Sequence, residues 1–181
     1  MKKPNLAVRI GNLELKNPVM PASGAFGSEM ESIINFNKLG AVVPKSITKY
    51  PRGGNPTPRV CEVNAGMINS IGIQSKGLDY YLKHIIPAYK IYDTPLIASI
   101  SADSIDEFAE MAEIIGNTPG VSAIELNISC PNLKDDGKAY GMDADISHDL
   151  VKKVKEATDQ TIITKLTPNV TSIQEIAIAC E

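Results

Sequence analysis

The sequence predicts an α/β fold in which parallel strands alternate with helices, in a sheet that is either open or closed into a barrel. Short apolar runs recur along the chain, and segments with apolar residues at helical spacing follow several of them. Most of these runs end in small or polar residues. The length of 181 residues suits one domain with a sizeable core.

The predicted elements follow one another in a β-then-α order. The strands comprise residues 6–10 and 13–15 (a hairpin around Gly11 and Asn12), 18–21, 41–43, 96–100, 121–127 and 161–166. The helices comprise residues 28–36, a segment from about 104, residues 146–157 and a segment from about 171. Ser104 with Glu107, and Thr171 with Gln174, have the spacing of capping boxes, in which two side chains satisfy free amides at a helix start.

Five βα units are too few to close a (β/α)₈ barrel, which usually takes ~250 residues. We therefore expect residues 1–181 to be the N-terminal part of a single TIM-barrel domain, with about the first five βα units present. An open doubly wound fold that is complete at five strands is the alternative. The sequence favours it less, because no Gly-rich fingerprint follows the first strand.

Composition argues against several classes of function. The chain has 18 Lys and Arg against 21 Asp and Glu, with no basic run, so we expect neither nucleic acid nor an anionic membrane as a partner. No apolar stretch is long enough for a signal peptide or a membrane span. Three cysteines far apart in sequence fit reduced thiols in a cytoplasmic protein. His84 and His148 lack metal-ligand spacing, so we expect no metal.

Small and polar residues follow the predicted strands of the sheet. They are Ala22-Ser23-Gly24, then Lys45 and Ser46, Ser99 and Ser101, Asn127 and Cys130, and finally Lys165. Because the carboxyl ends of parallel barrel strands meet at one rim, such residues indicate chemistry rather than stability. Lys165 interrupts an apolar strand, so it should face an anionic or polar partner, either within the protein or on a cofactor.

The segment from Glu125 to Asn132 carries the strongest local signal. A turn after the strand could direct Asn127, Cys130 and Asn132 at one ligand, and the cysteine offers a sulfur for proton transfer or nucleophilic attack. The alternative is a buried free cysteine between two turn-capping asparagines.

Two long loops add candidate functional segments. Residues 45–78 lack periodicity, and within them Asn69 to Ile73 offer a carboxamide and glycine-opened backbone suited to a small planar polar substrate. Residues 133–143 follow the cysteine and contain two glycines, which is typical of a lid that excludes water. A merely solvated loop is the alternative.

Together these motifs resemble the class 1 dihydroorotate dehydrogenases, flavin enzymes of pyrimidine biosynthesis. The resemblance covers essentially the whole chain and runs through Asn17 to Gly24, Lys45-Ser46, Gly54 to Arg59, Asn69 to Gln74, Glu125 to Asn132 and Lys165 to Pro168. The Gly54 to Arg59 run, Gly66-Met67 and Gly72 to Gln74 are most similar to the 1B subclass. Cysteine at position 130 argues against the serine-based, quinone-linked class 2.

The resemblance implies an FMN-binding barrel that oxidises dihydroorotate to orotate, with Cys130 as the general base at C5 while a hydride leaves C6. It implies substrate contacts from Lys45, Asn69, Ser70, Ile71, Gly72, Ile73, Asn127 and Asn132. It implies FMN contacts from Ser23, Lys45, Ser46, Ser99, Asn127 and Lys165. In the 1B subclass a homodimer of catalytic chains joins an electron-transfer subunit with FAD and a 2Fe-2S cluster, forming a heterotetramer that reduces NAD⁺.

Two departures from the family pattern leave alternatives open. Ser99 stands where the 1B pattern usually has an asparagine that contacts the flavin. The loops that hold the FMN phosphate in this family follow the seventh and eighth strands, which lie beyond the sequence. The alternatives are a related flavin barrel of the dihydropyrimidine dehydrogenases, which shares the Lys165 to Val170 motif, and a non-catalytic fragment that binds no flavin tightly.

Overall fold

The computed structural model of the chain describes residues 4–25, 27–130 and 139–181. Its strands are β1 (Val8–Ile10), β2 (Leu13–Leu15), β3 (Val60–Val63), β4 (Gly66–Asn69), β5 (Ile97–Ile100), β6 (Ala123–Asn127) and β7 (Thr161–Lys165). Its α-helices are α1 (Leu78–Tyr80), α2 (Ile86–Tyr89), α3 (Ile105–Gly116), α4 (Ala144–Ala157) and α5 (Ile173–Ala179). A π-helical turn, Tyr81–Ile85, joins α1 to α2, and 3₁₀ turns cover Ser28–Ser32, Phe36–Lys38 and Tyr140–Met142.

A parallel sheet in the order β5-β6-β7 forms the centre of the fold. Side chains alternate between the two faces of a strand, and directly paired residues point the same way, so the register defines two faces. The outer face carries Ala98, Ile100, Ile124 and Leu126, which belong to the larger hydrophobic cluster. The inner face carries Ile97 and Ala123 at the amino ends of the strands and polar residues at their carboxyl ends.

Helices α3 and α4 cover the outer face. Their fully buried side chains are Phe108, Met111, Ala112, Ile115, Leu150 and Val154. Burying a large apolar side chain contributes roughly 1.5–3 kcal/mol, so this layer supplies much of the driving force for folding. The predicted start of α3 is confirmed, because the Ser104 side chain accepts a hydrogen bond from the backbone amide of Glu107.

The predicted N-terminal hairpin is also confirmed, and it closes the amino end of the inner face. Strands β1 and β2 pair in antiparallel register, and Leu13 and Leu15 of β2 pack in one cluster with Ile97 and Ala123. The backbone amide of Asn12 donates to Thr161 Oγ1 at 3.2 Å. The amino end of the inner face is therefore closed by apolar side chains and by this hydrogen bond to Thr161, and the other polar groups of the face lie at the carboxyl end of the sheet.

Residues 41–47 run parallel to β5, but with a one-residue bulge. Val42 is bridged to Leu96 and Ile47 to Ile100, so five steps on one side (47 − 42) match four on the other (100 − 96). Pro44 lies inside the bulge and has no amide hydrogen to donate to a ladder. The strand predicted at 41–43 is therefore reduced to isolated bridges, and the bulge lies directly beside Lys45 and Ser46.

Two other predicted elements at the N-terminal side are wrong. Residues 18–21 form no strand; the Val19 carbonyl accepts one hydrogen bond from the Gly40 amide, and Pro18 and Pro21 have no amide hydrogens with which to extend the pairing. The helix predicted at 28–36 is instead two short 3₁₀ turns. The first turn ends at Ser32; Asn35 is extended, and its side chain accepts from the amide of Asn37, which starts the second turn.

The later helices differ from prediction only at their starts. Helix α4 begins two residues earlier than residue 146, because Asp143 caps it by accepting from the Ile146 amide at 3.0 Å. Helix α5 is capped by Ser172, which accepts from the amide of Glu175, so Thr171 with Gln174 is not the capping pair. The pair that caps the helix, Ser172 with Glu175, has the Ser-x-x-Glu spacing of a capping box one residue further along the sequence.

Residues 45–78, predicted to lack regular structure, contain the β3–β4 hairpin. All eight of its strand residues are exposed, so no alternation of buried and exposed positions marks it in the sequence. Its two-residue turn is Asn64-Ala65, with Ala65 at φ 60, a conformation for which glycine is the usual signal.

The fold is therefore mixed α/β around a parallel sheet. Within the described residues, β7 pairs only with β6, and the strand pairing does not close a barrel. No helix in the same ranges is long and apolar enough to cross a membrane.

Gly40 allows the 17–22 segment to approach the segment that runs beside β5. A Cβ at this position would overlap with the backbone carbonyl of Asn17. We expect Gly40→Ala to lower the free energy of unfolding by ~1–3 kcal/mol, measured by urea denaturation. Gly53→Ala is the matched control, since its Cβ would meet nothing within 4 Å, and it should change stability by no more than ~0.5 kcal/mol. Equal stability of the two variants would contradict the close packing.

Candidate active site

The register of the central sheet brings four polar side chains to the carboxyl end of the inner face. Ser99 is paired with Glu125 across β5 and β6, and Asn127 is paired with Lys165 across β6 and β7. Glu125 and Asn127 are two residues apart on one strand, so they point the same way. Ser46 joins this group from the bulged segment, because its Oγ lies 2.7 Å from Ser99 Oγ.

The carboxamide of Asn127 is the centre of a buried hydrogen-bond network. Its Nδ2 donates to Ser46 Oγ at 3.1 Å and to Cys130 Sγ at 3.4 Å. Its Oδ1 accepts from the Ser129 hydroxyl at 2.7 Å. Asn127 is only 5% exposed, and both of its N–H donors and its oxygen find partners within the protein rather than in bulk water; the oxygen keeps a second lone pair for a further donor. The turn after β6 thus holds the cysteine against an amide donor.

Ser99 contacts Ser46 rather than an open surface. It is fully buried, and the two hydroxyl groups share one hydrogen bond in which either can be the donor. The Ser99 hydroxyl therefore belongs to the network behind Asn127. Three hydrogen bonds separate it from the cysteine, through Ser46 and the carboxamide.

Lys165 has the polar partners that the sequence led us to expect. Its Nζ donates to Ser23 Oγ at 2.6 Å and lies 3.5 Å from Glu125 Oε1. An ammonium has three N–H donors, so these two partners leave one donor for a further acceptor. Glu125 Oε1 is buried without a hydrogen bond among the described residues, and its side chain is 12% exposed. Lys165 and Glu125 thus form an ion pair within the protein, with a long N···O distance of 3.5 Å.

The contact between Lys165 and Ser23 also constrains the shape of the sheet. Ser23 directly follows the 17–22 segment, and Lys165 ends β7, the last strand of the described sheet. The sheet must curve for the carboxyl ends of these two segments to meet. Lys45 lies at the same end, because its Nζ would be 3.9 Å from a Cβ placed on Gly24, and its side chain is exposed.

Asn69 is the last residue of β4, and Ser70 to Ile73 continue from it as a strap that leads away from the β3–β4 hairpin. Asn55 Nδ2 donates to the backbone oxygen of Ser70 at 3.1 Å and to its Oγ at 2.7 Å, and the Asn55 amide donates to the Ile71 carbonyl. Gly72 and Ile73 both have positive φ. No hydrogen bond within the described residues connects this strap to Asn127 or Cys130, so its part in the site stays a prediction.

The predicted site extends beyond the described residues. Asn132 and residues 133–138 of the predicted lid lie outside them. The end of that loop is described: Ala139 is buried, and the Gly141 amide donates to the Ile128 carbonyl at 3.0 Å. Residues 139–143 are thereby fixed against the turn that carries Cys130.

A cavity of about 530 Å³ is lined by Lys45 and Ser46 and by residues of α1 and α2. Tyr81 lines it with a hydroxyl that is buried and has no hydrogen-bond partner among the described residues. Burial raises the pKa of this phenol above its ordinary value. Cys130 and Asn127 do not line this cavity, but Ser46 does, so the cavity meets the network described above at Ser46.

The cysteines and acidic residues show no metal-binding arrangement in the described part of the chain, where no group of three or more ligating side chains comes together. All three cysteines are free thiols. Cys61 is exposed, whereas burial raises the pKa of Cys180. Cys130 alone among them contacts a carboxamide donor.

Two residues of the network had no assigned role in the sequence. Ser129 is the donor to Asn127, and Glu125 is the counter-ion of Lys165. The alternation of β6 could have identified Glu125, since it is two residues from Asn127 and therefore on the same face. Nothing in the sequence distinguishes Ser129 from an ordinary turn serine.

Comparison with known proteins identifies the family. The sequence profile described as Dihydroorotate dehydrogenase matches residues 5–181. The catalytic subunit of dihydroorotate dehydrogenase B (NAD(+)) from Listeria welshimeri is 47% identical over 178 residues, which cover 97% of this chain and 59% of the relative. The same subunits from Geobacter metallireducens and Geobacter sulfurreducens are 42% and 43% identical, each over 99% of this chain and 60% of the relative. The chain thus spans about 60% of the length of these relatives.

The chain therefore belongs to the dihydroorotate dehydrogenase family. The resemblance predicted from its motifs is confirmed, including the likeness to the B-type catalytic subunit.

Lys165 neutralises a carboxylate that is mostly buried. We expect Lys165→Met to lower the free energy of unfolding by ~1–3 kcal/mol, because it leaves the Glu125 charge without a counter-ion. Adding Glu125→Gln should recover part of this loss in urea denaturation. The control is Lys153→Met, which breaks an exposed pair with Asp106 and should cost less than ~0.5 kcal/mol. A purely additive double mutant would contradict the coupling.

Proposed function

We propose that the protein to which this chain belongs oxidises dihydroorotate to orotate in pyrimidine biosynthesis, with Cys130 as the base. The observation that carries the proposal is the contact of Cys130 Sγ with Asn127 Nδ2, at the carboxyl end of β6 and one strand from Lys165. Family membership supports the reaction, and the position of the thiol on this network supports its role as the base. NAD⁺, named for the B-type relatives, is the proposed final acceptor.

Proton transfer is the part of the reaction that this chain's residues would perform. The thiolate of Cys130 would take the proton from C5 of dihydroorotate, forming an S–H bond as the C5–H bond breaks. A thiolate has no proton to donate and only accepts hydrogen bonds, so the Asn127 amide stabilises it directly. The electron pair left at C5 forms the C5–C6 double bond of orotate as a hydride departs from C6.

The residues at the carboxyl end of the sheet fit the ring of an FMN. When bound, FMN would supply the acceptor for the hydride from C6. Lys165 has an N–H donor left after its contacts with Ser23 and Glu125, and Ser23 is beside it, so both can bind acceptor atoms of the ring. Ala22 and Gly24 are small enough for close approach of a flat group. Ser46, Ser99 and Asn127 would support this side of the site through their network.

Lys45, Asn127 and Asn132 are the substrate contacts that we propose, together with Asn69, Ser70, Ile71, Gly72 and Ile73 from the strap. Dihydroorotate carries a carboxylate and a ring of amide groups, so an exposed ammonium and paired carboxamides match its charge and its hydrogen-bonding groups. The exposed position of Lys45 beside Gly24 supports this assignment.

We also propose that the curved sheet forms part of a (β/α)₈ barrel within one domain, as the family implies. The contact between Lys165 and Ser23 supports the curvature that a barrel requires. By the same inference the protein works in the cytoplasm as a homodimer with a partner subunit that carries FAD and a 2Fe-2S cluster. The relatives' designation as a catalytic subunit supports the existence of such a partner.

Absorbance of the purified intact protein tests the proposal as a whole. A flavin band at about 450 nm should be present at about one per chain, and dihydroorotate should bleach it without oxygen. Bleaching by dihydrouracil instead would favour the dihydropyrimidine dehydrogenase reaction. Absence of the band would favour a non-catalytic chain.

We expect Cys130→Ala in the intact protein to retain its flavin and to lose ~10²–10⁴-fold in the rate of dihydroorotate oxidation, because the base is removed. Cys130→Ser should keep some activity, with the larger share at high pH. The control is Cys61→Ala, which removes an exposed thiol distant in sequence from the network. Near-normal turnover by the Cys130→Ala protein would overturn the role of Cys130.

A further inference from the structure

We propose that Ser129 is a positioning residue that holds the Asn127 carboxamide with its amide nitrogen against Cys130, and thereby sets the fraction of Cys130 present as thiolate. The inference rests on the proposed function only in taking Cys130 as the base. The Ser129 hydroxyl is coupled to the ionisation of the neighbouring Cys130 thiol, and this coupling can be measured without dihydroorotate.

The geometry divides the carboxamide among three partners. Ser129 Oγ donates to Oδ1 at 2.7 Å, the shortest of the three contacts, while Nδ2 reaches Ser46 at 3.1 Å and Cys130 at 3.4 Å. The oxygen is therefore occupied by a donor, and both N–H groups remain available for acceptors. This is the orientation that suits a thiolate, since a carbonyl oxygen facing the negative sulfur would be repelled.

Ser46 cannot enforce that orientation by itself. Its hydroxyl can accept from Nδ2 or donate to Oδ1, and Ser99 can act as donor or acceptor behind it. Ser129 adds a constraint of another kind, because it lies in the turn between Asn127 and Cys130. Its bond to Oδ1 ties the carboxamide to the same turn that carries the sulfur, and with Oδ1 held there Nδ2 faces Sγ at 3.4 Å.

Removal of the hydroxyl would leave a buried acceptor without its donor. Asn127 is 5% exposed, whereas Ser129 and Cys130 are each partly exposed. The carboxamide could recover a hydrogen bond by rotating towards that opening, and this rotation would take Nδ2 away from the sulfur. The thiolate would lose its donor while the thiol, which needs none, would not be affected.

Other charges at this end of the sheet are unchanged by a substitution at position 129. They are Glu125 and Lys165 on β6 and β7 and Lys45 on the bulged segment. Within the described residues, none of these three groups is hydrogen bonded to Cys130. A change in thiol ionisation on substitution of Ser129 would therefore report the Asn127 contact.

The test is the rate at which iodoacetamide alkylates Cys130 in the flavin-loaded intact protein without substrate, followed by peptide mass spectrometry. We expect Ser129→Ala to slow alkylation about three- to tenfold at pH 7.5, because iodoacetamide reacts with the thiolate and one hydrogen bond to it is lost. The two rates should approach each other as the pH is raised, because the hydrogen bond no longer changes how much of the sulfur is ionised once both proteins are fully deprotonated. Ser129→Thr, which keeps the hydroxyl, should react at close to the wild-type rate.

Two controls separate this role from a general change of structure. Cys61, which is exposed, serves as an internal reference for reagent and pH in every sample. Ser122→Ala removes a partly exposed serine just before the opposite end of β6 and should leave the Cys130 rate unchanged. A deficit of Ser129→Ala that persists equally at all pH values, or that Ser129→Thr shares, would overturn the proposal. Because alkylation of Cys130 needs no turnover, failure of this proposal can be distinguished from failure of the proposed dihydroorotate reaction.

Discussion

The parallel register of β6 between β5 and β7 is the constraint on which the rest of the structure depends. It places Ile124 and Leu126 against the helices and Glu125 and Asn127 on the inner face. A slip of one residue would exchange these sets, because successive side chains point to opposite faces. Charged and amide groups would then be buried against α3 and α4, at a cost of several kcal/mol. The core thus selects the same register that assembles the candidate site.

The bulge at Pro44 shows how the neighbouring segment adapts to this sheet. A regular strand would separate the outward-facing Val42 and Ile47 by an even number of residues, yet both lie in the same apolar layer with five steps between them. The extra residue shifts Ser46 to the inner face, within reach of Ser99. The loss of ladder bonds at this point is therefore coupled to the placement of two candidate site residues, Lys45 and Ser46, side by side.

Sequence reasoning succeeded where burial imposes a period and failed where it does not. Strands β5 and β6 and helices α3 and α4 have one or two buried faces, β7 is partly buried throughout, and the positions of all five were predicted to within a few residues. The β3–β4 hairpin is exposed throughout, so its sequence carries no periodic signal. At the site, strand ends identified Lys165, Asn127 and Cys130 because topology alone brings such ends together. Ser129 depends on the detailed conformation of one turn, which composition and spacing do not determine.

The two halves of the candidate site differ in how well their polar groups are satisfied. Around Asn127 both N–H donors and one lone pair of the oxygen have partners, so this half is organised before any ligand arrives and keeps one lone pair for a ligand donor. Around Lys165 the balance is incomplete. The ammonium is closer to Ser23 than to its counter-ion, and a buried oxygen of Glu125 has no hydrogen bond in the described chain. An electron-rich group would therefore gain most beside Lys165, where it finds a free donor and a charge that is only partly neutralised. Proton transfer would then take place beside Asn127, whose carboxamide is already held by its partners. Negative charge would bind beside Lys165, where an N–H donor remains.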